Sequence, residues 1–355
     1  MKITLFLGLT LCAGAALAQD PAAAGTPTYG AADCKVGKLL PPPAGGAVQW
    51  RGNCKDGFAD GPGVLEWTTK DGTALRLEAA FARGAVVGEG KLRAGGRFDY
   101  IGTLVNGMPD GEGYLKFADG HRYEGGIRHM QREGQGTLIY PNGDVYQGGF
   151  HDNKLSGTGR LTFALGGKIE GEFKDGKPDA KAKITYAGSG REAEFGNLRH
   201  ERAQEEDGKP LAFQIREDEP HLGTLLRKAT IKSSVPLTSN WKALSEAQKD
   251  VVRSHYPALE EGDEPPFPVR GEGELLKVLH AVGNRYNATG MLRLNVLVGA
   301  DGKAKQVARV GDFDQDVVRY AASAAMVQEY KPALCHGAPC EMMYALRVNL
   351  VRQMP

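Results

Sequence analysis

The 355-residue sequence has no excess of either charge, few cysteines and no long hydrophobic run beyond its first residues. It contains 44 Lys and Arg against 43 Asp and Glu, so it lacks the basic surplus that is typical of nucleic-acid-binding proteins. After residue 18, no stretch approaches the roughly 20 apolar residues that a membrane-spanning helix needs. A hydrophobic content of 41% with 25% charged residues predicts a folded chain instead of a disordered one.

The sequence also lacks the common catalytic and metal-binding motifs. It contains no Gly-x-Ser-x-Gly elbow and no phosphate loop, and its eight histidines show no His-x-x-x-His spacing. The segment Ser239-Asn240-Trp241-Lys242 formally matches a Ser-x-x-Lys nucleophile motif, but the partner motifs are missing and helix capping explains the serine. We interpret the acidic pairs Glu260-Glu261 and Asp263-Glu264 as solvated loop charge. The sequence therefore predicts no catalytic residue, no cofactor and no metal site, and the alternative is an enzyme whose site is built from unrecognised residues within 201–290.

The N-terminus has the features of a secretory signal peptide. A short basic start precedes an apolar run over residues 3–18, which ends in Ala16-Leu17-Ala18. Small residues at 16 and 18 suit signal peptidase, and the run is shorter than a spanning helix. We expect cleavage after Ala18 and a periplasmic or secreted protein; an uncleaved membrane anchor and a lipoprotein attached through Cys12 are the alternatives.

Cysteine usage agrees with export. Once Cys12 leaves with the signal peptide, four cysteines remain, and an even number permits two disulfides in an oxidising compartment. Three pairings are possible, and we predict Cys34–Cys54 and Cys335–Cys340 because each pair lies within one local region. Residues 335–340 are typical of a hairpin tip closed by a disulfide. His336 lies inside this loop and no second cysteine pair has zinc spacing, which argues against a cysteine-based zinc site.

Glycine is abundant and periodic. The chain has 49 glycines, roughly twice the usual ~7%. Gly-x-Gly pairs recur at 61/63, 88/90, 111/113, 134/136 and 157/159, with a spacing of 27 residues once and 23 thereafter. A Tyr-x-Gly series and a leucine series have the same period, which predicts a repeat architecture. The predicted repeat core comprises Tyr100, Tyr123, Tyr146, Leu115, Leu138, Leu161, Gly111, Gly113, Gly134, Gly136, Gly157 and Gly159.

Each repeat unit has the pattern of a β-hairpin. Residues 137–140 are typical of a strand, Pro141-Asn142-Gly143-Asp144 of a turn, and residues 145–147 of the returning strand. One hairpin alone is marginally stable, so we expect the units to stack and bury a stripe of Leu, Tyr and Phe. We interpret the tyrosines as a packed core ladder; exposed aromatic residues on one face would form a groove for a peptide or glycan.

These units resemble MORN repeats, whose pattern is Tyr-x-Gly-x-aromatic, then Gly, Gly-x-Gly-x-Leu, a turn Gly and Tyr-x-Gly again. The best copies span residues 100–125 and 123–146, and Trp50-Arg51-Gly52 opens a divergent first copy. Asn153 and Met130 replace the turn glycine. Asn tolerates left-handed backbone, whereas Met130 is expected to strain its turn. The resemblance implies a binding or scaffold module and does not indicate a reaction.

After residue 200 the period ends and a charged boundary follows at residues 204–210. Ser239 is predicted to cap a helix over 240–254, and a second helix is expected over 274–281. Further on, the pattern predicts a strand over 291–298, a turn at Asp301-Gly302, a strand over 304–310, a helix over 313–329 capped by Asp312, and a last strand over 342–350. This β-β-α-β order predicts a small α+β sandwich.

The C-terminal segment resembles the TonB C-terminal domain. The matching residues are Leu294 to Val298, Asp301-Gly302, Val307 to Val310, Phe313-Asp314, Tyr330-Lys331-Pro332-Ala333, Gly337-Ala338-Pro339 and Ala345 to Leu350. The resemblance implies a periplasmic domain that pairs by strand addition with an extended peptide of a partner.

Together these patterns predict a mainly β protein with a smaller α+β domain: an elongated antiparallel sheet of stacked hairpins, a helical connector and a TonB-like domain. The expected divisions are a signal peptide (1–18), a Pro/Ala/Gly-rich segment (19–47), MORN repeats (48–200), a connecting region (201–284) and the TonB-like domain (285–355). We expect a non-catalytic envelope scaffold that binds a protein or peptide and no nucleic acid. The alternative is a divergent TonB-like energy transducer in outer-membrane transport, anchored at the membrane by an uncleaved N-terminus.

Overall fold

The computed structural model describes residues 28–197 and 235–352, with the short strand segments 213–214, 229–230 and 232–233. The predicted signal peptide, Cys12 and the charged boundary at 204–210 lie outside the described residues. The chain divides into two compact units, one reaching Leu115 and including Ile127–Met130, the other holding Lys116–Gly126 and the chain from Gln131 onward. Both are rich in antiparallel strands. Among the described residues, no helix has the length and apolar character needed to cross a membrane.

The first unit is a sheet of successive hairpins. Strand β3 pairs with β4, and the remaining strands follow the order β1-β2-β4-β5-β6-β7-β8. The Cys34–Cys54 disulfide, with a Cα–Cα distance of 5.5 Å, joins β2 to β3 as predicted. The strands are β1 (Tyr29–Ala31), β2 (Cys34–Val36), β3 (Pro43–Lys55), β4 (Phe58–Thr69), β5 (Ala74–Ala82), β6 (Ala85–Ala94), β7 (Phe98–Val105) and β8 (Met108–Phe117).

The second unit continues with hairpins of the same design. Its sheet has the order β9-β10-β11-β12-β13-β15-β16, and β14 adds to β13. The strands are β9 (Arg122–Arg128), β10 (Gln131–Ile139), β11 (Val145–His151), β12 (Lys154–Thr162), β13 (Lys168–Lys174), β14 (Lys177–Pro178), β15 (Lys183–Thr185) and β16 (Glu192–Glu194), followed by a 3-10 helix at Phe195–Asn197. The expectation of a mainly β protein with a long antiparallel sheet of hairpins is confirmed.

Two-residue turns with positive φ at both positions connect many of these strands. Such turns match the twist of a hairpin, and they favour Asn, Asp and Gly. At Asn106-Gly107 the φ values are 52° and 78°, and at His129-Met130 they are 50° and 67°. Met130 therefore adopts the left-handed conformation that a glycine would take at the same place. The turn pairs are Asp56-Gly57, Arg83-Gly84, Asn106-Gly107, His129-Met130, Asp152-Asn153 and Asp175-Gly176.

The connecting region contains two α-helices, but the first differs from the prediction. A 3-10 turn at Trp241–Ala243 precedes helix α1 (Glu246–Arg253), and Ser245, not Ser239, caps it through a reciprocal bond with Gln248. The prediction of one helix over 240–254 capped by Ser239 was wrong because Ser245 and Gln248 form a capping box, which fixes a later start. Helix α2 (Gly273–Arg285) confirms the second prediction and extends it at both ends.

The C-terminal region has the predicted β-β-α-β order. Its sheet has the order β18-β26-β21-β22, and α2 and α3 pack on it. Asp314, not Asp312, caps α3 by accepting bonds from the backbone N–H groups of Asp316 and Val317. The strands are β17 (Phe213–Gln214), β18 (Ala229–Thr230), β19 (Lys232–Ser233), β20 (Phe267–Pro268), β21 (Gly290–Val298), β22 (Ala304–Arg309), β23 (Tyr330–Lys331), β24 (Ala333–Cys335), β25 (Ala338–Cys340) and β26 (Met342–Arg352), with α3 at Gln315–Val327.

Within the second unit, the hairpins and the C-terminal region share contacts. The buried Asn295 side chain donates a 3.0 Å hydrogen bond from Nδ2 to the Ala164 carbonyl oxygen. The Ala187 N–H donates to the Ala258 carbonyl oxygen at 2.8 Å. The Cys335–Cys340 disulfide closes the β24–β25 hairpin as predicted, and its sulfurs lie beside Gly188. Residues from the end of the hairpin array therefore pack against the disulfide-closed tip.

Candidate binding surfaces

The periodic tyrosines form part of the core. Tyr100, Tyr123 and Tyr146 are at most 1% exposed. Each hydroxyl donates to the carbonyl oxygen three residues later, at 2.7 Å in the first two cases and 3.1 Å in the third. Burial raises the pKa of Tyr100 and of Tyr146 to about 12, because the phenolate would lose its hydration. These side chains fix the sheet and are not accessible to a ligand.

The two glycines of each Gly-x-Gly pair have different roles. The first glycine, as at Gly157 with φ +68°, adopts a backbone conformation that disfavours a side chain. The second lies beneath a tyrosine ring: a Cβ built on Gly159 would lie 2.3 Å from the Tyr146 hydroxyl. The same relation joins Gly113 to Tyr100, and Gly136 to Tyr123. Each repeat therefore needs a glycine where its tyrosine ring packs against the backbone, and this requirement explains why the second glycine recurs every 23 residues.

The periodic leucines complete this buried row. Leu115 and Leu138 are each 3% exposed, and Leu161 is half-buried. In the second unit Leu138, Tyr146, Leu161 and Ile169 lie opposite one another on successive strands. The predicted tyrosines and leucines thus lie in the interior or at its border, whereas Gly134 and Gly157 are exposed within their strands. A binding surface has to be sought on the other face of the sheet.

That other face carries rows of charged side chains. In the first unit Glu66, Arg76, Arg93 and Asp99 lie opposite one another on β4 to β7. Glu66 forms ion pairs with both Arg51 and Arg76, and its hydrogen bond to Arg76 raises the pKa of that guanidinium. Arg76 and Arg93, however, are like charges directly across a strand pair, an arrangement that destabilises an isolated sheet.

A groove of about 510 Å³ runs beside this pair of arginines. It opens because β3 loses register with β4: Pro43 lies opposite Thr69 and Val48 opposite Trp67, so residues 44–47 bulge away. Arg93 is 72% exposed, and its carboxylate partner Asp99 is 3.7 Å away. The lining residues include Ala44, Ala47, Val48, Ala74, Arg76 and Arg93. The groove combines small apolar walls with a rim formed by Glu66, Arg76 and Arg93, of which Arg93 is the most exposed.

A second candidate surface is the edge of the C-terminal sheet. The strand order ends at β22, which pairs with β21 and with no other strand among the described residues. Its side chains are exposed or half-buried. Edge strands present unpaired backbone groups to which an extended peptide can add.

A third feature, a cluster of Glu260, Asp263 and His336, was missed by sequence reasoning. Its ligand atoms lie within 4.8 Å of one another, although the histidine is more than 70 residues further along the chain. The interpretation of Glu260-Glu261 and Asp263-Glu264 as solvated loop charge was correct for Glu261 and wrong for Asp263, which is 1% exposed. Asp263 is buried because the residues that flank the turn, Ala258 and the Pro265–Pro268 segment, pack into the protein.

The comparisons with known proteins support the repeats. No curated protein matches the chain. The comparison with protein families does not support a TonB C-terminal domain, and that resemblance stays a prediction. The MORN repeat model matches residues 50–72, 100–122, 123–145, 146–168 and 170–191. Residues 74–94, between the first two matches, form the β5–β6 hairpin of the same sheet. The chain therefore contains five MORN repeats between residues 50 and 191.

Proposed function

We propose that the protein is a non-catalytic scaffold of the bacterial cell envelope that binds an extended segment of a protein partner. The observation that carries this proposal is the groove beside Arg76 and Arg93. Arg76 is ion-paired with Glu66 and Glu78, whereas Arg93 is 72% exposed and lies 3.7 Å from Asp99, so Arg93 is the cation that an anionic group of a partner would contact. Small walls formed by Ala44, Ala47 and Ala74 leave room for an apolar side chain of the same partner.

The repeat design supports a scaffold role. Buried tyrosine rings pinned by hydrogen bonds make each hairpin rigid, and a rigid surface loses little conformational entropy when it binds. Export to the periplasm is part of the proposal, and two disulfides formed by all four cysteines of the predicted mature chain support it.

Site-specific photo-cross-linking of the full-length protein tests this proposal. A photo-reactive amino acid is placed at Gln49, which lines the groove, or at Gln147, an exposed residue on a strand of the second unit. Each protein is irradiated in an envelope extract, and the cross-linked peptides are sequenced by mass spectrometry. We expect one partner, attached through a segment with an acidic residue, at Gln49 and not at Gln147.

A pair of charge variants provides the control. Arg93→Ala removes the rim cation, whereas Arg160→Ala removes an exposed arginine that forms a 2.5 Å ion pair with Glu170 on neighbouring strands of the second unit. The first variant should abolish the Gln49 cross-link and the second should keep it. Equal cross-linking at both positions, or no loss with Arg93→Ala, would overturn the groove proposal.

A second candidate function rests on the edge strand β22 and the β-β-α-β order. Here a TonB-like domain would bind an envelope peptide by strand addition, or serve as a divergent energy transducer if the N-terminus remained as an anchor. N-terminal sequencing of the mature protein separates these two: a start at Gln19 removes the anchor. A proline placed at Val307 should block strand addition without affecting the Gln49 cross-link.

A further inference from the structure

We propose that Glu260, Asp263 and His336 form a binding site for a divalent cation of the zinc type. Glu260 and Asp263 lie in the turn that follows α1, and His336 lies at the tip of the β24–β25 hairpin. All three belong to the second unit. This inference is independent of the proposed groove, which lies in the first unit.

Two buried carboxylate oxygens point to a missing ligand. Asp263 is 1% exposed, and its Oδ1 accepts a 2.8 Å hydrogen bond from the His336 backbone N–H. Among the residues that the structure describes, its Oδ2 and the Oε2 of Glu260 are buried and accept no hydrogen bond, and Oε2 lies 3.1 Å from His336 Nε2. A buried carboxylate oxygen without a partner is costly, and an ion is one of the few groups that compensate it. A cation between these oxygens and the imidazole would supply that interaction.

The backbone around the cluster holds its ligands in place. Glu264 and Leu334 exchange two backbone hydrogen bonds of 2.9 Å, which tie the turn to the hairpin. The Cys335–Cys340 disulfide closes that hairpin around His336, whose φ of 54° fixes the direction in which the side chain leaves the turn. Ligands carried by fixed backbone bind a metal more tightly than ligands that must be ordered on binding.

Arg191 acts as an internal competitor for the cation. Its Nη1 lies 3.0 Å from Glu260 Oε1 and 2.5 Å from His336 Nε2. The guanidinium compensates one of the two carboxylates, so one negative charge is left when the histidine is neutral. The Arg191 side chain is 62% exposed and can withdraw into solvent without opening the core. A cation that bound His336 would therefore displace Arg191 from the imidazole.

The donor set selects the class of metal. Calcium prefers six to eight oxygen ligands, whereas an imidazole with two carboxylates suits zinc and similar transition ions. Because Asp263 is buried, the ion would serve to hold the turn against the hairpin. With three protein ligands, the remaining position of a tetrahedral ion would be filled by water.

Calorimetric titration of the untagged full-length protein, freed of metal with a chelator, tests the site. We expect one zinc ion per chain and no comparable binding of calcium. Asp263→Asn should weaken zinc binding roughly tenfold or more, as expected for loss of a charged ligand. Arg191→Gln should strengthen it, because the competing cation is removed.

Two further variants keep the test decisive. His336→Gln replaces a side chain that is 44% exposed, so it can be tested if Asp263→Asn fails to fold. The described residues contain a second cluster of this type, formed by Glu133, His151 and Asp152, which is half-exposed or exposed. His151→Ala disrupts that cluster and should leave zinc affinity unchanged. Absence of stoichiometric binding, loss of binding with His151→Ala, or weaker binding with Arg191→Gln would each overturn the proposal.

Discussion

The tandem hairpins and the C-terminal α+β region build their cores from contacts of different range. In the hairpins, a buried ring meets backbone about half a repeat later, as Tyr146 meets Gly159. In the C-terminal region, Leu279 of α2, Leu294 of β21 and Val317 of α3 form one cluster although they come from separate elements. Local contacts leave a period in the sequence, whereas distant contacts leave only the pattern of each element.

The comparison predicts a strict requirement for glycine beneath each tyrosine. Gly159→Ala places a methyl group 2.3 Å from the Tyr146 hydroxyl, and we expect a loss of about 3 kcal/mol in the free energy of unfolding. The ring cannot retreat, because Phe150 and Phe173 pack against it with centroids 5.3 Å and 5.0 Å away. Urea denaturation of both proteins measures the difference.

The chain offers an internal control for this prediction. Where Ile169 replaces the tyrosine, Ala182 occupies the slot of the covered glycine. Adding Tyr146→Ile to Gly159→Ala should therefore recover part of the loss, so that the two changes are not additive. Gly157→Ala meets no atom within 4 Å and carries only the backbone cost of about 1–2 kcal/mol. If the Gly159→Ala protein is no less stable than the Gly157→Ala protein, the Tyr146 ring does not require a glycine at position 159.

Alkaline pH should weaken the hairpins through the same tyrosines. Burial raises the pKa of Tyr100 and Tyr146 to about 12 in the folded protein, against about 10 in the unfolded chain. Folding therefore favours the neutral phenol: its contribution is complete below pH 10 and is lost as the pH rises from about 10 to 12. Urea midpoints should be the same at pH 8 and pH 9 and should fall as the pH rises above about 10. Tyr146→Phe should show a shallower fall, and an identical fall would contradict this assignment.

Features that depend on local contacts could be predicted from the sequence, whereas features that depend on distant contacts could not. The hairpins, their turns, both disulfides and the β-β-α-β order were predictable because each depends on residues that are close in sequence or repeated. The groove was not, because it depends on a local loss of register at residues 44–47. The cluster around Asp263 was not either, because a charged loop turn is expected in solvent unless the distant hairpin that covers it is known.

The N-cap of α3 gives a prediction with a smaller expected change in the free energy of unfolding. Asp314 accepts bonds of 2.9 Å and 3.0 Å from the first turn of α3, so Asp314→Ala should cost about 1 kcal/mol. Asp312→Ala should cost much less, since Asp312 does not cap α3. Thermal unfolding followed by circular dichroism compares the two variants. Equal losses would mean that the start of α3 differs from Gln315.

The smallest predicted effect concerns the His129-Met130 turn, where Met130 replaces the glycine of the repeat pattern. Met130 has a φ of 67°, a conformation that costs a side-chain-bearing residue about 1–2 kcal/mol. Glycine avoids this cost but loses about 0.5–1 kcal/mol more backbone entropy, so Met130→Gly should stabilise the protein by roughly 0.5 kcal/mol. Asn153 has the same φ, but Asn tolerates it, and Asn153→Gly should change the urea midpoint less. If Met130→Gly destabilises the protein, the half-buried methionine contributes packing that outweighs its backbone strain, and the repeat has gained stability at this turn by departing from glycine.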